Sequence, residues 1–172
     1  TAALPGLPAE PEGITLVQVS DLHSKRMGEG QEVLLDTISR AEPDVILLTG
    51  DLVDGRSPEL EPALELASGA AALAPTCYVT GNHETSLPWR TYEQIEDGLE
   101  AAGVIFLDNR TEKLTLPNGG SLVLTGLSDD NLEDGTLKKL SASWPEDAFT
   151  VLLAHEPQYI ENYARSGVDL VF

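Results

Sequence analysis

The sequence predicts an α/β fold built around parallel strands, and three observations lead to this prediction. Apolar runs of strand length recur along the 172 residues, and several are continuous rather than alternating, as expected of strands buried on both faces. Stretches with helical periodicity separate the first of these runs, which is the order that parallel strands require. Two later runs are joined by a short Pro- and Gly-containing turn, which adds an antiparallel hairpin.

Eight runs are predicted to be strands, and they begin after a Pro-rich segment. Residues 1–13 have neither the basic region nor the apolar core of a signal peptide and are predicted to form an extended lead-in. The predicted strands cover residues 14–20, 45–49, 76–80, 104–107, 113–116, 122–127, 150–154 and 168–172. The turn at 117–120 makes the segment 113–127 the hairpin. Because the sequence contains no linker and no internal repeat, residues 1–172 are predicted to form a single domain.

Two helices are predicted between the first three strands. Apolar residues from Val33 to Ala41 are spaced by three and four, and this helix must stop before Pro43, because a residue that precedes proline avoids the helical conformation. The second helix extends over about 57–74, and Pro62 leaves its first residue open.

A third predicted helix lies between the third and fourth strands and has signals at both ends. Thr91 and Gln94 match a capping box at its start, and Gly103 fits the position just after its end. Ile95 and Leu99 lie on its apolar face. The order is therefore strand and helix in alternation up to residue 107, which is typical of a parallel α/β sheet.

The chain is strongly acidic and has a single cysteine. Ten basic and 29 acidic residues give a net charge of −19, which disfavours nucleic-acid binding, because that affinity comes largely from Lys and Arg neutralising phosphates. The acidity is interpreted as a solvated surface or an adaptation to salt, with carboxylates that serve cations as the alternative. Cys77 excludes an internal disulfide and leaves the compartment open. No apolar run approaches the roughly 20 residues of a membrane-spanning helix.

All three histidines of the chain follow predicted strands, together with several carboxylates. In chain order these residues are Asp21 and His23, Gly50 and Asp51, Asn82 and His83, and finally His155. Because the carboxyl ends of parallel strands share one edge of an open α/β sheet, their side chains are predicted to meet there. Asp21, Asp51 and Asn82 lie about thirty residues apart in turn, which is one strand–helix–strand unit.

The residue types in this cluster suit a pair of metal ions. Asp21 and His23 offer an oxygen and a nitrogen to one ion, and such ligation without thiolate favours Mn, Fe or Zn. Asp51 has two oxygens and can bridge two ions, while Asn82 and His155 serve the second ion. A single histidine at a strand end more often has a structural hydrogen-bonding role, and Gly-Asp marks ordinary turns. The ordered set of four motifs favours a site.

These motifs resemble those of the calcineurin-like metallophosphoesterase superfamily. They read Asp21-x-His23, Gly50-Asp51-x-x-Asp54, Gly81-Asn82-His83-Glu84 and His155. The run 14–172 is similar to the bacterial branch that contains YkuE-like proteins and the enzymes that hydrolyse UDP-diacylglucosamine. The resemblance implies an α/β metallophosphoesterase-like β-sandwich of mixed sheets flanked by helices. It also implies two divalent or transition metal ions, Mn, Fe or Zn.

The resemblance implies a role for each matching residue. The implied metal ligands are Asp21 and His23 for the first ion, Asp51 as the bridge, and Asn82 and His155 for the second. His83 is implied to be a catalytic residue that contacts the substrate phosphate or protonates the leaving oxygen, with Asp54 as its acidic catalytic partner. A carboxylate on one imidazole nitrogen orients the ring and raises its pKa for general-acid work. Glu84 is predicted to brace the loop.

The sequence departs from the family pattern at its end. The family places a Gly-His-x-His motif after one more strand, and here the predicted strand at 168–172 is the last segment. The domain is therefore expected to be incomplete, with its C-terminal part missing and each metal one protein ligand short. The chain is expected to be part of a longer protein.

The predicted activity is hydrolysis of a phosphoester or phosphoanhydride by hydroxide held between two metal ions, of phosphodiesterase or pyrophosphatase type. The predicted partner is a small phosphorylated substrate, with a nucleotide-sugar or a lipid-linked compound as candidates, and no nucleic acid. A catalytically impaired binding or scaffold protein with the same fold is the alternative. A Rossmann-type nucleotide binder is disfavoured because the first strand leads into a loop without Gly-x-Gly-x-x-Gly.

The location and the assembly state are left open by the sequence. The resembled branch is often membrane-associated through a segment that precedes the catalytic domain, and no such segment is visible in these 172 residues. A cytoplasmic location and a peripheral location at the bacterial membrane are both compatible with this pattern. The segment 128–131, which follows a predicted strand, is interpreted as a solvated loop in preference to a rim of the pocket.

Overall fold

The computed structural model describes residues 13–116, 119–131 and 135–172, and its strands form two four-stranded sheets. The first sheet is parallel throughout and contains, in order, β1 (Leu16–Val19), β2 (Val45–Thr49), β3 (Thr76–Val79) and β4 (Ile105–Phe106). The second sheet contains, in order, β5 (Arg110–Thr115), β6 (Ser121–Leu127), β7 (Thr150–Ala154) and β8 (Leu170–Val171). Strand β5 pairs antiparallel with β6, and the other two pairings are parallel.

Helices connect the parallel strands, as the α/β order requires. They are α1 (Glu32–Arg40), α2 (Glu61–Leu73), α3 (Asn82–Thr85), α4 (Trp89–Ala101), α5 (Thr136–Ser141) and α6 (Ile160–Arg165). Short 3₁₀ turns cover Glu29–Gln31, Asp129–Asn131 and Pro157–Tyr159. Within the described ranges, no helix combines the length and the apolar character that crossing a membrane requires.

Three apolar cores separate four layers of the molecule. One core lies between the first sheet and α1, α2 and α4, another between the two sheets, and the third between the second sheet and α5 and α6. The position of β2 between two cores explains why its sequence is continuously apolar. Ile46 and Leu48 face the helices, whereas Val45 and Leu47 face the second sheet, and all four are fully buried.

The predicted fold class is confirmed, since the two sheets pack as a sandwich flanked by helices. Strands β2 and β7 have the predicted bounds, whereas β1 and β8 are shorter than predicted. Strand β5 begins at Arg110, before the predicted start at residue 113. The apolar pattern missed these residues because β5 is an edge strand of the second sheet with mostly exposed polar side chains.

The structure places the start of α2, which the sequence left open, and shows that the predicted start of α4 was wrong. Helix α2 begins at Glu61 rather than near residue 57, with Pro62 in its first turn, where a missing N–H costs no hydrogen bond. Helix α4 begins at Trp89 with Pro88 at its N-cap, so Thr91 lies inside the helix and the predicted capping box is not formed.

The predicted hairpin is formed, and two other predictions fall outside the described residues. Strands β5 and β6 pair along their length, and the amide of Leu116 donates to the carbonyl of Gly120 at 2.8 Å. Positions 117 and 118 of the predicted turn are not among the described residues, and neither are residues 1–12 of the predicted lead-in.

Candidate metal centre

Side chains from the loops after β1, β2, β3 and β7 converge at one end of the sandwich. They belong to Asp21, His23, Asp51, Asn82, His83 and His155. Potential ligand atoms of Asp21, Asp51 and His155 lie within 4.8 Å of one another, and the same holds for His23, Asp51 and His83. The structure therefore brings together every predicted metal ligand. The first sheet supplies all of them except His155, which comes from the second sheet, so the site lies across the end of the sandwich.

The loops after β1 and β2 continue the pairing of these strands. The amide of Asp21 donates to the carbonyl of Gly50 at 3.1 Å, and the amide of His23 donates to the carbonyl of Asp51 at 2.9 Å. Asp21, His23 and Asp51 have φ angles of 58°, 48° and 53°, in the left-handed region that non-glycine residues rarely adopt. Such strain persists where the surrounding structure fixes it, and it is concentrated at functional sites. Here it occurs at three of the predicted ligands.

Two glycines let the β2 and β3 loops approach each other. Gly50 has a φ of 90°, and a Cβ placed on it would lie 2.5 Å from the amide nitrogen of Gly81. A Cβ on Gly81 would lie 2.7 Å from the amide nitrogen of Asp51. Real Cβ atoms do not approach backbone this closely, so both positions require glycine. The predicted use of Gly50 for a tight turn and a close approach agrees with this geometry.

The side chain of Glu84 links the same two loops. Its side chain is fully buried, and its carboxylate accepts hydrogen bonds from the amides of Asp51 and Gly81, each at 2.8 Å, and from the amide of Val53 at 3.1 Å. A buried carboxylate is tolerated only with such partners. Glu84 therefore braces the loop that carries Asp51 against the loop that carries Asn82.

Glu84→Gln is expected to lower the free energy of unfolding by about 2 kcal/mol, because an amide NH₂ replaces an oxygen that accepts backbone N–H groups. Urea unfolding monitored by circular dichroism measures the change. The matched control is Glu93→Gln on the exposed face of α4, which is expected to leave the midpoint unchanged. Equal midpoints for both variants would contradict the bracing role of Glu84.

Asp51 occupies the centre of the cluster. It is 3% exposed, and its Oδ2 atom faces Nε2 of His155 at 3.4 Å, of His23 at 3.8 Å and of His83 at 3.9 Å. Its Oδ1 atom accepts a hydrogen bond from the amide of His83 at 2.9 Å. Burial acts to raise the pKa of Asp51, but the hydrogen bonds from His155 and from the His83 amide outweigh it and leave the pKa below its usual value. Asp51 is therefore held as a carboxylate.

His155 presents one nitrogen to the cluster and anchors the other. Its Nδ1 lies 2.8 Å from the carbonyl oxygen of Thr49, which can only accept, so Nδ1 carries a proton. Its Nε2 lies 3.2 Å from Oδ1 of Asn82 and 3.4 Å from Oδ2 of Asp51. The hydrogen bond to Asp51, opposed by burial, raises the pKa of His155 to about 9. Loss of the Nε2 proton would free this nitrogen to hold a metal ion, and the hydrogen bond to the Thr49 carbonyl would keep the ring oriented.

His83 has the opposite arrangement. Its Nδ1 accepts a hydrogen bond from the amide of Gly55 at 2.9 Å, so the neutral ring carries its proton on Nε2. Its ring packs edge-on against that of His23, with centroids 4.5 Å apart. The distance of Nε2 from Asp51 is short enough for a shared ion, but a protonated Nε2 has no lone pair to offer one. The geometry fits a hydrogen-bond donor better than a ligand.

The expected contact between Asp54 and His83 is not formed. The Asp54 carboxylate accepts hydrogen bonds from the amides of Arg56 at 2.8 Å and Ser57 at 3.4 Å, which closes a turn, and Gly55 takes the predicted place of Asp54 on the His83 ring. The hydrogen bonds from the amides of Arg56 and Ser57 lower the pKa of Asp54. An aspartate in such a turn accepts hydrogen bonds from the amides two and three residues ahead, so Asp54 is satisfied within its own loop and does not contact His83.

The donor set fits divalent metal ions, because ligand atoms of Asp21, Asp51 and His155, and likewise of His23, Asp51 and His83, lie within 4.8 Å of one another. All donors are nitrogen or oxygen, and Cys77 is buried in the core between the sheets, away from the cluster. Such a set is typical of Mn, Fe or Zn bound without thiolate.

Several groups that shape the site were not anticipated from the sequence. The carbonyl of Thr49 orients His155, and the amide of Gly55 orients His83. Both act through backbone atoms, which every residue carries, so their side chains give no signal. Asp129 begins the turn that follows β6 and packs against α3. Burial and the charge of Glu156 raise its pKa to about 6, while the charge of His155 acts in the opposite direction. The sequence interpretation of its segment was a solvated loop in preference to a rim of the pocket.

The sequence model of a family described as calcineurin-like phosphoesterase matches residues 14–172. Relatives include an uncharacterized metallophosphoesterase of Helicobacter pylori (strain 26695), 28% identical over 92% of this chain and 43% of its own length. The uncharacterized metallophosphoesterases YkuE and YkoQ of Bacillus subtilis are 27% and 26% identical, over 85% and 90% of this chain and 52% and 57% of their own lengths. The chain therefore spans about half of the length of the curated relatives that it matches.

Proposed function

This chain belongs to the calcineurin-like phosphoesterase family, and on that premise we propose that it is a metal-dependent hydrolase of a phosphodiester or a phosphoanhydride, with two divalent ions in one centre. The observation that carries the proposal is the position of Asp51. Its carboxylate belongs to both groups of ligand atoms and faces three imidazole nitrogens within 4 Å. A shared carboxylate between two N/O donor sets is the arrangement that two-metal phosphoryl chemistry uses.

The proposed ligands are those that the sequence predicted. Asp21 and His23 hold the first ion, Asn82 and His155 hold the second, and Asp51 bridges both. Divalent ions held here supply Lewis-acid polarisation of the phosphoryl group and lower the pKa of water from about 15.7 to roughly 7. Mn, Fe and Zn are the proposed metals, because the donors are imidazole, carboxylate and amide.

His83 is proposed to donate a hydrogen bond from Nε2 to a phosphoryl oxygen. The amide of Gly55 holds the ring in the form that has this proton. Donors that are fixed in advance stabilise charge as it develops in the transition state, without reorganisation. Proton transfer to the leaving oxygen from an imidazolium would require Nδ1 to be protonated as well, which breaks the Gly55 hydrogen bond. The contacts therefore favour the donor role over the general-acid role.

Asp54 is proposed to act through the loop that supplies this amide. Its carboxylate closes the turn at Arg56 and Ser57, and Gly55 lies inside that turn. Asp54 thereby positions the Gly55 amide against His83 and is a positioning residue rather than a group that contacts the substrate.

A small phosphorylated compound is the proposed substrate, with a nucleotide-sugar or lipid-linked diphosphate as the finer proposal. A net charge of −19 repels polyanions such as nucleic acids. A small anion is repelled less strongly and can be neutralised by two divalent ions. Association with the bacterial membrane through a segment outside these 172 residues belongs to the same proposal.

The test is hydrolysis of bis(p-nitrophenyl) phosphate by protein that has been stripped with a chelator and reloaded with Mn²⁺. We expect about two ions per chain by elemental analysis, no turnover in the stripped protein and recovery on reloading. Turnover that does not depend on metal would overturn the proposal. Two bound ions without hydrolysis of this ester or of a pyrophosphate substrate would instead favour a binding or scaffold protein.

A further inference from the structure

Asp129 lies beside the second ligand group although it is distant in sequence from every predicted ligand. Strand β6 pairs in parallel with β7, and Leu127 is opposite Ala154 at the ends of these strands. The residues that follow β6 therefore leave the sheet at the same edge as His155 and Glu156, which follow β7. The turn Asp129–Asn131 also packs against α3, which begins at Asn82.

The Asp129 carboxylate has a buried oxygen without a partner. Its Oδ1 atom is shielded from solvent and accepts no hydrogen bond from any group in the described part of the chain. Burial and the charge of Glu156 raise the pKa of Asp129 to about 6, while His155 acts in the opposite direction. A buried acceptor that is left unpaired is destabilising. We therefore expect this oxygen to accept a hydrogen bond from a group that is not part of the protein.

The two ligand groups differ in charge. In the proposed assignment, the first ion has the carboxylates of Asp21 and Asp51 as ligands, whereas the second has only that of Asp51, with the neutral amide of Asn82 and the imidazole of His155. Asp21 also lies within reach of His155, but its side chain is 57% exposed and its charge is screened by solvent. Ions of equal charge are therefore held less strongly at the second position, unless another anion lies nearby.

We propose that Asp129 is a positioning residue of the metal centre, which adds the missing negative charge beside Asn82 and His155 and accepts a hydrogen bond through its buried oxygen from water bound at that position. This inference rests on the proposed function. Groups of this kind outside the direct ligands orient what the ligands bind, and their loss weakens metal binding. The unpaired oxygen then destabilises the metal-free protein, and metal binding offsets this destabilisation.

The test compares Asp129→Asn with Asp130→Asn, which makes the same change at an exposed neighbouring residue. Calorimetric titration of chelator-stripped protein with Mn²⁺ measures affinity, and Asp51→Asn identifies the heat that comes from the centre rather than from the acidic surface. We expect about tenfold weaker Mn²⁺ binding for Asp129→Asn and less than about twofold for Asp130→Asn, whose charge is screened by solvent.

Thermal unfolding of the stripped proteins provides the second readout. The midpoint for Asp129→Asn is expected to equal or exceed that of the parent chain, because the change removes an unpaired buried charge among acidic neighbours. A lower midpoint would indicate an ordinary structural role and overturn the inference, as would unchanged Mn²⁺ affinity. If the parent chain itself gave no Mn²⁺ heat that depends on Asp51, the proposed function would fail as well, so the two failures are distinguishable.

Discussion

Asp51→Asn is expected to lower kcat/KM for hydrolysis of bis(p-nitrophenyl) phosphate by about a thousandfold, which corresponds to about 4 kcal/mol of transition-state stabilisation. The carboxylate is the one charged group that both ligand sets share, so its loss weakens both ion positions at once. An asparagine also places an NH₂ group among the nitrogens of His23, His83 and His155, where an acceptor is required. The bound metal is therefore expected to fall together with the activity.

Steady-state kinetics and elemental analysis of the same preparations check this prediction. The matched control is Asp97→Asn on the exposed face of α4, which removes one negative charge far from the centre. It is expected to keep both metal content and turnover. Full metal occupancy with normal turnover in Asp51→Asn would exclude the bridging role, and equal losses in both variants would point to the net charge instead.

The fold was predictable to the extent that side-chain patterns determine it. The apolar residues of β2 and β7 are buried only if these strands lie between layers, and the predicted bounds of both strands were correct. Helix starts were less predictable because local signals compete. Thr91 matched a capping box, but α4 begins two residues earlier at Trp89, because the carbonyl of Pro88 at the N-cap accepts hydrogen bonds from the amides of Thr91 and Tyr92.

The candidate site was predictable at its ligands and not at the groups that orient them. Asp21, Asp51 and His155 carry chemistry in their side chains and follow strands, which is a pattern that a sequence displays. The amide of Gly55 replaced the carboxylate of Asp54 on the His83 ring, and no side-chain pattern encodes such a choice. It depends on the turn that Asp54 makes with its own neighbours.

The hydrogen bond from the Gly55 amide to Nδ1 leaves the proton of the neutral His83 ring on Nε2, and this arrangement determines what His83 can do. His83→Ala is expected to lower kcat about a hundredfold while leaving two ions bound, because a donor to a phosphoryl oxygen is lost and no ligand is removed. His83→Gln is expected to recover at least about tenfold of that loss, since its amide can accept from Gly55 and donate into the site at the same time.

The glutamine variant separates the three roles that an imidazole can have at this position. A general acid transfers its proton, which an amide cannot do, so equal losses in His83→Gln and His83→Ala would assign proton transfer to His83. A metal ligand would reveal itself by ion loss in His83→Ala to the same extent as in Asp51→Asn. Recovery in His83→Gln with full metal content is the outcome that the Gly55 hydrogen bond requires. With Nδ1 occupied as an acceptor, the neutral ring can donate a hydrogen bond from Nε2 but does not transfer that proton.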